Sequence, residues 1–316
     1  MRDTFPLADF FVKANSAAEL RADLGRFVSL IFGHPFITPS RDEYGMFIAK
    51  SVAMRSADLG RQVGASIATD EGDLVAVGCN EVPKFGGGQY WEGDDPDWRD
   101  FRLAEDSSAV SRRQALEELL SKLRTVGWLS DAIKDQPAGD LVSRMVTGDV
   151  RKKFAGSQVF SVIEYGRSVH AEMAAITDAS RRGVSVKDCT LYTTTFPCHL
   201  CARHIVSSGL RRVVYVEPYP KSRTQDLYKD SISVNPDGEP QGLVSLEPFV
   251  GVAPSRYLQL FQLEGERKDK DTGRVIDWDS QPNKNPRIKR FVLSYVLIEE
   301  NAGTLLAALM GKMNLN

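Results

Sequence analysis

His170-Ala171-Glu172, followed further along by Pro197-Cys198-His199-Leu200-Cys201, is the stretch that decides how this chain is read. It combines one imidazole, two thiols and a nearby carboxylate. A histidine and two cysteines can hold Zn2+ and leave the fourth tetrahedral position to water. A metal of this kind lowers the pKa of that water towards neutrality. Glu172 is placed to take the water proton and return it to a departing group without being a ligand itself. The expected cofactor is therefore Zn2+, on His170, Cys198 and Cys201, with Glu172 as the catalytic carboxylate.

The spacing supports that geometry. Val169, Met173, Ile176 and Ala179 repeat with a helical rhythm across 167–181, so His170 and Glu172 fall on the first turn of a helix. Cys198 and Cys201 are three apart and share a helical face. Pro197 stands where a missing N–H is tolerated. The run 190–196 reads as a strand feeding this second helix. Rival readings exist. Taken alone, H-x-E is a common surface or core pattern, and C-x-x-C serves redox or structural-zinc roles. Cys198, Cys201 and His204 form another ligand set, but all three crowd one helix. A purely structural zinc site leaves Glu172 without a task.

The 316 residues carry a formal net charge of −2 and are 42% hydrophobic, an ordinary composition for a soluble globular chain. That balance argues against a dedicated nucleic-acid binder, which usually shows a basic excess. Of four cysteines, Cys79 and Cys189 remain after the metal set; both lie in apolar segments and read as buried reduced thiols. The polar start and the absence of any apolar run of transmembrane length predict a cytoplasmic protein without a membrane partner.

Around the motifs, 16–32 and 43–59 read as helices, the second capped by Asp42. The runs 62–69 and 74–78 flank Asp70-Glu71-Gly72-Asp73 as a hairpin. Strands at 189–196 and 212–217 alternate with helices 169–183 and 198–209, and 242–249 supplies a fifth strand. The predicted fold is α/β: a three-layer sandwich with a mixed five-stranded sheet and helices on both faces. The chain is read as a single elaborated domain. It has a helical lead-in over 1–40, a core over 41–250 and a C-terminal extension over 251–316 with an apolar strand at 291–298. A long insertion, 84–168, carries helices at 107–124 and near 139–154. It opens on Gly86, Gly87 and Gly88, whose backbone N–H groups suit a phosphate nest. Lys221 and Arg203 are further candidates for phosphate contact.

The motif order is that of zinc-dependent nucleobase deaminases, and the flanks resemble the deoxycytidylate deaminase family within the cytidine deaminase superfold. Arg61-Gln62-Val63-Gly64-Ala65 is similar to that family's first strand. Gly78-Cys79-Asn80-Glu81-Val82-Pro83 is similar to its nucleotide loop, G-Y-N-G-x-P, with Cys79 in place of tyrosine and Glu81 in place of glycine. By resemblance, Asn80 contacts the sugar. Further segments, among them Gly86-Gly87-Gly88-Gln89-Tyr90-Trp91 and Glu217-Pro218-Tyr219-Pro220-Lys221-Ser222, resemble the deaminase half of bacterial anti-phage dCTP/dCMP deaminases. No G-x-x-x-x-G-K-[ST] occurs, so the P-loop half of those proteins is absent from this chain. The resemblance implies deamination of dCTP, dCMP or both, nucleotide depletion in phage defence, assembly as a homo-oligomer, and control by a regulatory nucleotide or RNA. Two alternatives stay open: a deaminase of cytosine or adenine in single-stranded nucleic acid or tRNA, and a non-catalytic zinc-stabilised binding module.

Overall fold

The structure, a computed structural model, describes residues 2–154, 157–161, 164–235, 238, 242–281, 284–288 and 299–306. The strand expected at 291–298 lies outside them. The elements, in chain order, are β1 (Phe10–Phe11), α1 (Ala17–Ile31), α2 (Arg41–Ala53), β2 (Gly64–Ala68) and β3 (Leu74–Cys79). The insertion follows with α3 (Ser107–Thr125), α4 (Ala138–Val146) and α5 (Gly148–Phe154). Then come α6 (Ala171–Arg181), β4 (Thr190–Thr195), α7 (His199–Ser207), β5 (Arg212–Glu217), α8 (Thr224–Leu227), β6 (Ile232–Val234), β7 (Val244–Pro248), β8 (Gly251–Val252) and α9 (Tyr257–Phe261). The described residues of 1–13 and 39–255 form one compact unit, and those of 14–38 and 256–316 form another. In the second unit, Arg287 donates to the carbonyls of Leu260 and Gln262 at 2.7 and 2.8 Å and fastens the segment after α9. Among the described residues no helix is long and apolar enough to cross a membrane.

The first unit is built on a mixed sheet in the order β3-β2-β4-β5-β7-β6. β2 is antiparallel to both neighbours, while β4, β5, β7 and β6 run parallel. The sheet has six strands where the sequence led us to expect five. The extra one, β6, is only Ile232–Val234 and too short to show a period of two. Every residue of β4 is buried, as expected of a strand covered on both faces. Leu191, Val213 and Leu246 face a core shared with α6 and α7. Tyr192 and Val214 face Met46 and Ala49 of α2. The helix expected near 139–154 is two helices, α4 and α5.

Helix α2 starts earlier and ends earlier than its apolar pattern implied, and Asp42 is not its cap. Ser40 is, through a capping box. Its Oγ accepts from Glu43 N–H at 3.1 Å and its own N–H donates to the Glu43 carboxylate at 2.7 Å. The Gln62 amide takes the carbonyls of Met54 and Ser56 beyond the helix end. Asp42, released from capping, accepts from Arg212 at 2.8 Å on each oxygen and from Tyr192 Oη at 3.0 Å. Burial pushes its pKa up, but the Arg212 guanidinium prevails and holds it below the ordinary value.

Two outcomes follow for stability. A Cβ on Gly78 of β3 would collide with the backbone N of Ala175 in α6. Gly78→Ala should therefore lower stability in urea by about 1–3 kcal/mol, the usual cost of overpacking. Asp42→Asn should also destabilise at pH 7, by about 1–3 kcal/mol for a lost charged hydrogen bond. A carboxylate whose folded pKa is depressed contributes fully above its unfolded value, and the contribution is lost as pH falls through the folded one. The difference in urea midpoint between wild type and Asp42→Asn should thus hold from pH 7 to about pH 5 and shrink below about pH 4.

Candidate active site

Two helix starts converge at the C-terminal ends of β3 and β4. Val169 exchanges backbone hydrogen bonds with Glu81, at 3.0 and 3.2 Å, just beyond the end of β3. The chain then turns into α6 with His170 as its N-cap, in extended conformation. Strand β4 runs through Phe196, whose N–H donates to Glu217 O at 2.8 Å, and Pro197 into Cys198, the N-cap of α7. The two ligands expected on first helical turns are therefore caps, one step earlier. The reason is local: both ψ angles are extended, 154° and 166°, so the imidazole and the thiol turn back towards each other.

His170 Nδ1 lies 3.2 Å from Cys198 Sγ and 3.4 Å from Cys201 Sγ. The donor atoms of these three residues are all within 4.8 Å of one another. Tetrahedral Zn–S and Zn–N bonds place ligand atoms about 3.5 Å apart, so the set fits zinc in chemistry and in size. His204 does not join the group. Glu172 is buried, 4% exposed, with Oε2 at 3.4 Å from Cys201 Sγ. Its hydrogen-bonding thiol is a donor set member, so the carboxylate stands beside the metal position.

The groups perturb one another strongly. Hydrogen bonding from Cys201, with help from His170 and against burial, brings the Cys198 thiol down to about 4. The hydrogen bond to Cys198 raises His170 to about 9. Cys201 is pushed up, first by its bond to the Cys198 thiolate and then by burial. Burial, then the Cys198 charge, raises Glu172 above the ordinary carboxylate range.

His170, Glu172 and Cys198 form the floor of a cavity of about 490 Å³. Asn80 and Lys221 line it, as the sequence led us to expect. Asn80 is tightly held: its Oδ1 accepts from Val63 N–H at 2.7 Å and its Nδ2 donates to Arg61 O at 2.7 Å. Lys221 has no hydrogen bond or ion pair to another described residue. Gly86, Gly87 and Gly88 do not line the cavity. They make an exposed turn with φ of +86°, +98° and +80°, closed by Lys84 N–H to Gly88 O and Gly87 N–H to Lys84 O. A glycine-rich run signals backbone freedom, not where the loop ends up. Arg203 is exposed on α7. Cys79 and Cys189 are buried free thiols.

Sequence reasoning missed several wall residues. Arg167 donates to Asp100 at 2.8 Å, and Arg61 to Glu217 at 3.3 Å. Ser168 Oγ is buried without a partner among the described residues. The Arg167–Asp100 pair joins the two ends of a long insertion, and no local pattern announces such a pair. Tyr219 was within reach, through the Pro-Tyr-Pro-Lys segment that also holds Lys221.

A sequence model of the cytidine and deoxycytidylate deaminase zinc-binding region matches residues 39–217. The chain belongs to this family. The family region is a zinc-binding one, and within it His170, Cys198 and Cys201 form a set that can hold a metal ion. Deoxycytidylate deaminase of Enterobacteria phage T2 is 44% identical over 55 residues, 17% of this chain and 29% of that protein. The human deoxycytidylate deaminase is 26% identical over 189 residues, 60% of this chain and 67% of the human one. The chain thus spans under a third of the phage relatives' length. The dCMP deaminase of cyanophage S-TIM5 superposes with a TM-score of 0.34 at 14% identity, over 67% of this chain and 100% of that one.

Purified protein should carry stoichiometric zinc by elemental analysis. Cys198→Ala should lose most of it, because a structural or catalytic zinc site keeps little affinity on two protein ligands. Full zinc content in that variant would contradict the assignment.

Proposed function

We propose that this chain catalyses zinc-dependent hydrolytic deamination of deoxycytidine nucleotides, dCMP, dCTP or both, to the deoxyuridine nucleotides and ammonia. The observation that carries this reading is the Glu172 carboxyl, buried beside the His170–Cys198–Cys201 set at the floor of a cavity. When bound, the metal supplies Lewis acidity that makes water a nucleophile near neutral pH.

The chain's own groups do the rest. Glu172 takes a proton from the attacking water at Oε and passes it to the ring nitrogen, then takes the proton of the newly formed hydroxyl and passes it to the leaving amine, which departs as ammonia while the ring carbon keeps the oxygen as a carbonyl. Its raised pKa suits a group that must hold a proton in one step and release it in the next. The cavity is roomy enough for a pyrimidine nucleoside, and Glu172 is buried at its floor. Asn80, with one N–H still available, contacts the sugar. Lys221, on the rim segment after β5, meets the phosphate as a point charge. Family membership and the motif-bearing segments of the deoxycytidylate deaminases support this substrate class.

The same reading extends to biology. Removal of dCTP or dCMP in the cytoplasm, by a homo-oligomer under nucleotide or RNA control, would starve phage replication. The support is the resemblance to anti-phage deaminases.

A panel of deoxy- and ribocytidine nucleotides and single-stranded oligonucleotides, assayed for ammonia release, tests the activity. The deoxynucleotides should be turned over fastest; faster release from an oligonucleotide would overturn the reading. Glu172→Ala should retain zinc and lose turnover by about a hundredfold or more. In phage-challenged cells the same variant should abolish any protection given by wild type.

A further inference from the structure

Segment 57–63 forms one wall of the cavity above His170 and Glu172, through Asp58, Leu59, Gly60, Arg61 and Val63. It is neither helix nor strand. The backbone groups of such a segment must find their partners outside a regular ladder. Two adjacent residues at the end of β3 supply bonds at its two ends. Asn80 holds the far end through Val63 N–H and Arg61 O. Glu81 holds the near end, where its Oε2 accepts from Ala57 N–H at 2.8 Å. Its Oε1 accepts from Val82 N–H at 2.9 Å, so both carboxylate oxygens are engaged in a residue only 1% exposed. A buried carboxylate is costly unless its oxygens are bonded in this way.

The backbone of Glu81 reaches in the other direction. It exchanges hydrogen bonds with Val169, one residue before His170, at 3.0 and 3.2 Å. Gln89 Nε2 adds a bond to Glu81 O at 3.3 Å. Glu81 therefore stands between wall and floor. Its main chain is fixed to the start of α6, and its side chain fixes the wall. The glycine of the G-Y-N-G-x-P pattern has no side chain for the second task.

We infer that Glu81 is a positioning residue for the nucleotide: its carboxylate sets the distance of the 57–63 wall from His170 and Glu172, and so governs substrate affinity and not the chemical step. The division follows from the bonds. A change of side chain leaves the backbone bonds to Val169, and with them the floor, in place. It releases the wall, which binding must then order at a cost in affinity. Only the kinetic part of the inference rests on the deaminase reading.

Glu81→Gln tests it. An amide has one acceptor oxygen and turns its NH2 to the second N–H, so at most one of the two bonds survives. With the deoxycytidine nucleotide that wild type turns over fastest, KM should rise by about tenfold, the loss of one charge-assisted bond, while kcat stays within about twofold. Zinc content should equal that of wild type. Hydrogen exchange read by mass spectrometry should be faster in 57–63 and unchanged in α6. Glu81→Ala, which removes both bonds, should go further in the same direction. Glu118→Gln, the same change at an exposed carboxylate of α3, should alter none of these. A fall in kcat with KM unchanged places the Glu81 side chain with the floor and overturns the inference. A joint loss of zinc, kcat and thermal stability does so too, since it marks a merely structural residue. Exchange in 57–63 at the wild-type rate in both Glu81 variants also overturns it. If wild type releases ammonia from no deoxycytidine nucleotide, the deaminase reading has failed instead. The hold on the wall is then judged by exchange alone, and stands if 57–63 loosens while α6 does not.

Discussion

At Gly78, helix α6 lies so close to strand β3 that not even a methyl group fits between them, and the position of the candidate metal ligands depends on this. Gly78 meets the backbone of Ala171 and Ala175, and Ala171, Ala174, Ala175 and Ala179 are all buried in that contact. Small residues on both elements let the backbones touch, and a close-packed contact of this kind does not slide. The N-terminus of α6 is fixed a second time by the Val169–Glu81 bridge. Glu81, which stands where related loops carry glycine, is itself buried. Its carboxylate receives the N–H groups of Ala57 and Val82 at 2.8 and 2.9 Å. One residue thus ties together the end of β3, the start of α6 and the 57–61 segment that walls the cavity. The departure from the family pattern replaces backbone freedom with a brace.

The electrostatics of the floor follow from that rigidity. Three donor groups and a carboxyl are held together whether or not their charges suit one another. Within the cluster the neighbours favour a Cys198 thiolate beside a charged His170, the bond to Cys198 pushes the Cys201 thiol up, and burial pushes the Glu172 carboxyl up. Zinc requires the opposite distribution, a neutral imidazole and two thiolates. Loading the site therefore releases protons, and affinity falls as pH drops. Glu172 keeps its separate identity through this exchange because its helix position puts it beside the donor set and not within it.

The metal site was legible in the sequence because its ligands lie in two short motifs, each at the start of a helix that carries its own periodic signal. The core was legible for the same reason: strands β2 to β5 and helices α6 and α7 all show local periodicity. What escaped is non-local or too short. β6 has three residues. Ser40 and Asp42 are both good N-caps, and the choice between them turns on Glu43 sitting three residues after Ser40 and on Arg212 claiming Asp42 from the other end of the chain. The glycine-rich turn was a reasonable phosphate nest by composition. Its place outside the cavity is set by the turn that Lys84 and Gly88 close, which composition does not encode.

The insertion is more than a cover over the sheet. Asp100, Asp106, Ser108, Arg167 and Ser168 all come from it, and all line the cavity above His170 and Glu172. The Arg167–Asp100 pair draws its two ends together across the opening, with Asp100 only 8% exposed. Burial raises the Asp100 pKa and Arg167 opposes that shift without overcoming it. Such a pair adds little net stability, since desolvation offsets much of its attraction. Its value is positional, because a buried charge without its partner is far more costly than the pair. The insertion is thereby held in one register against the metal-bearing helix, and Ser168, two residues before His170, is fixed with it. Part of the wall above the ligand set is therefore built by the segment that makes this chain longer than the motif needs.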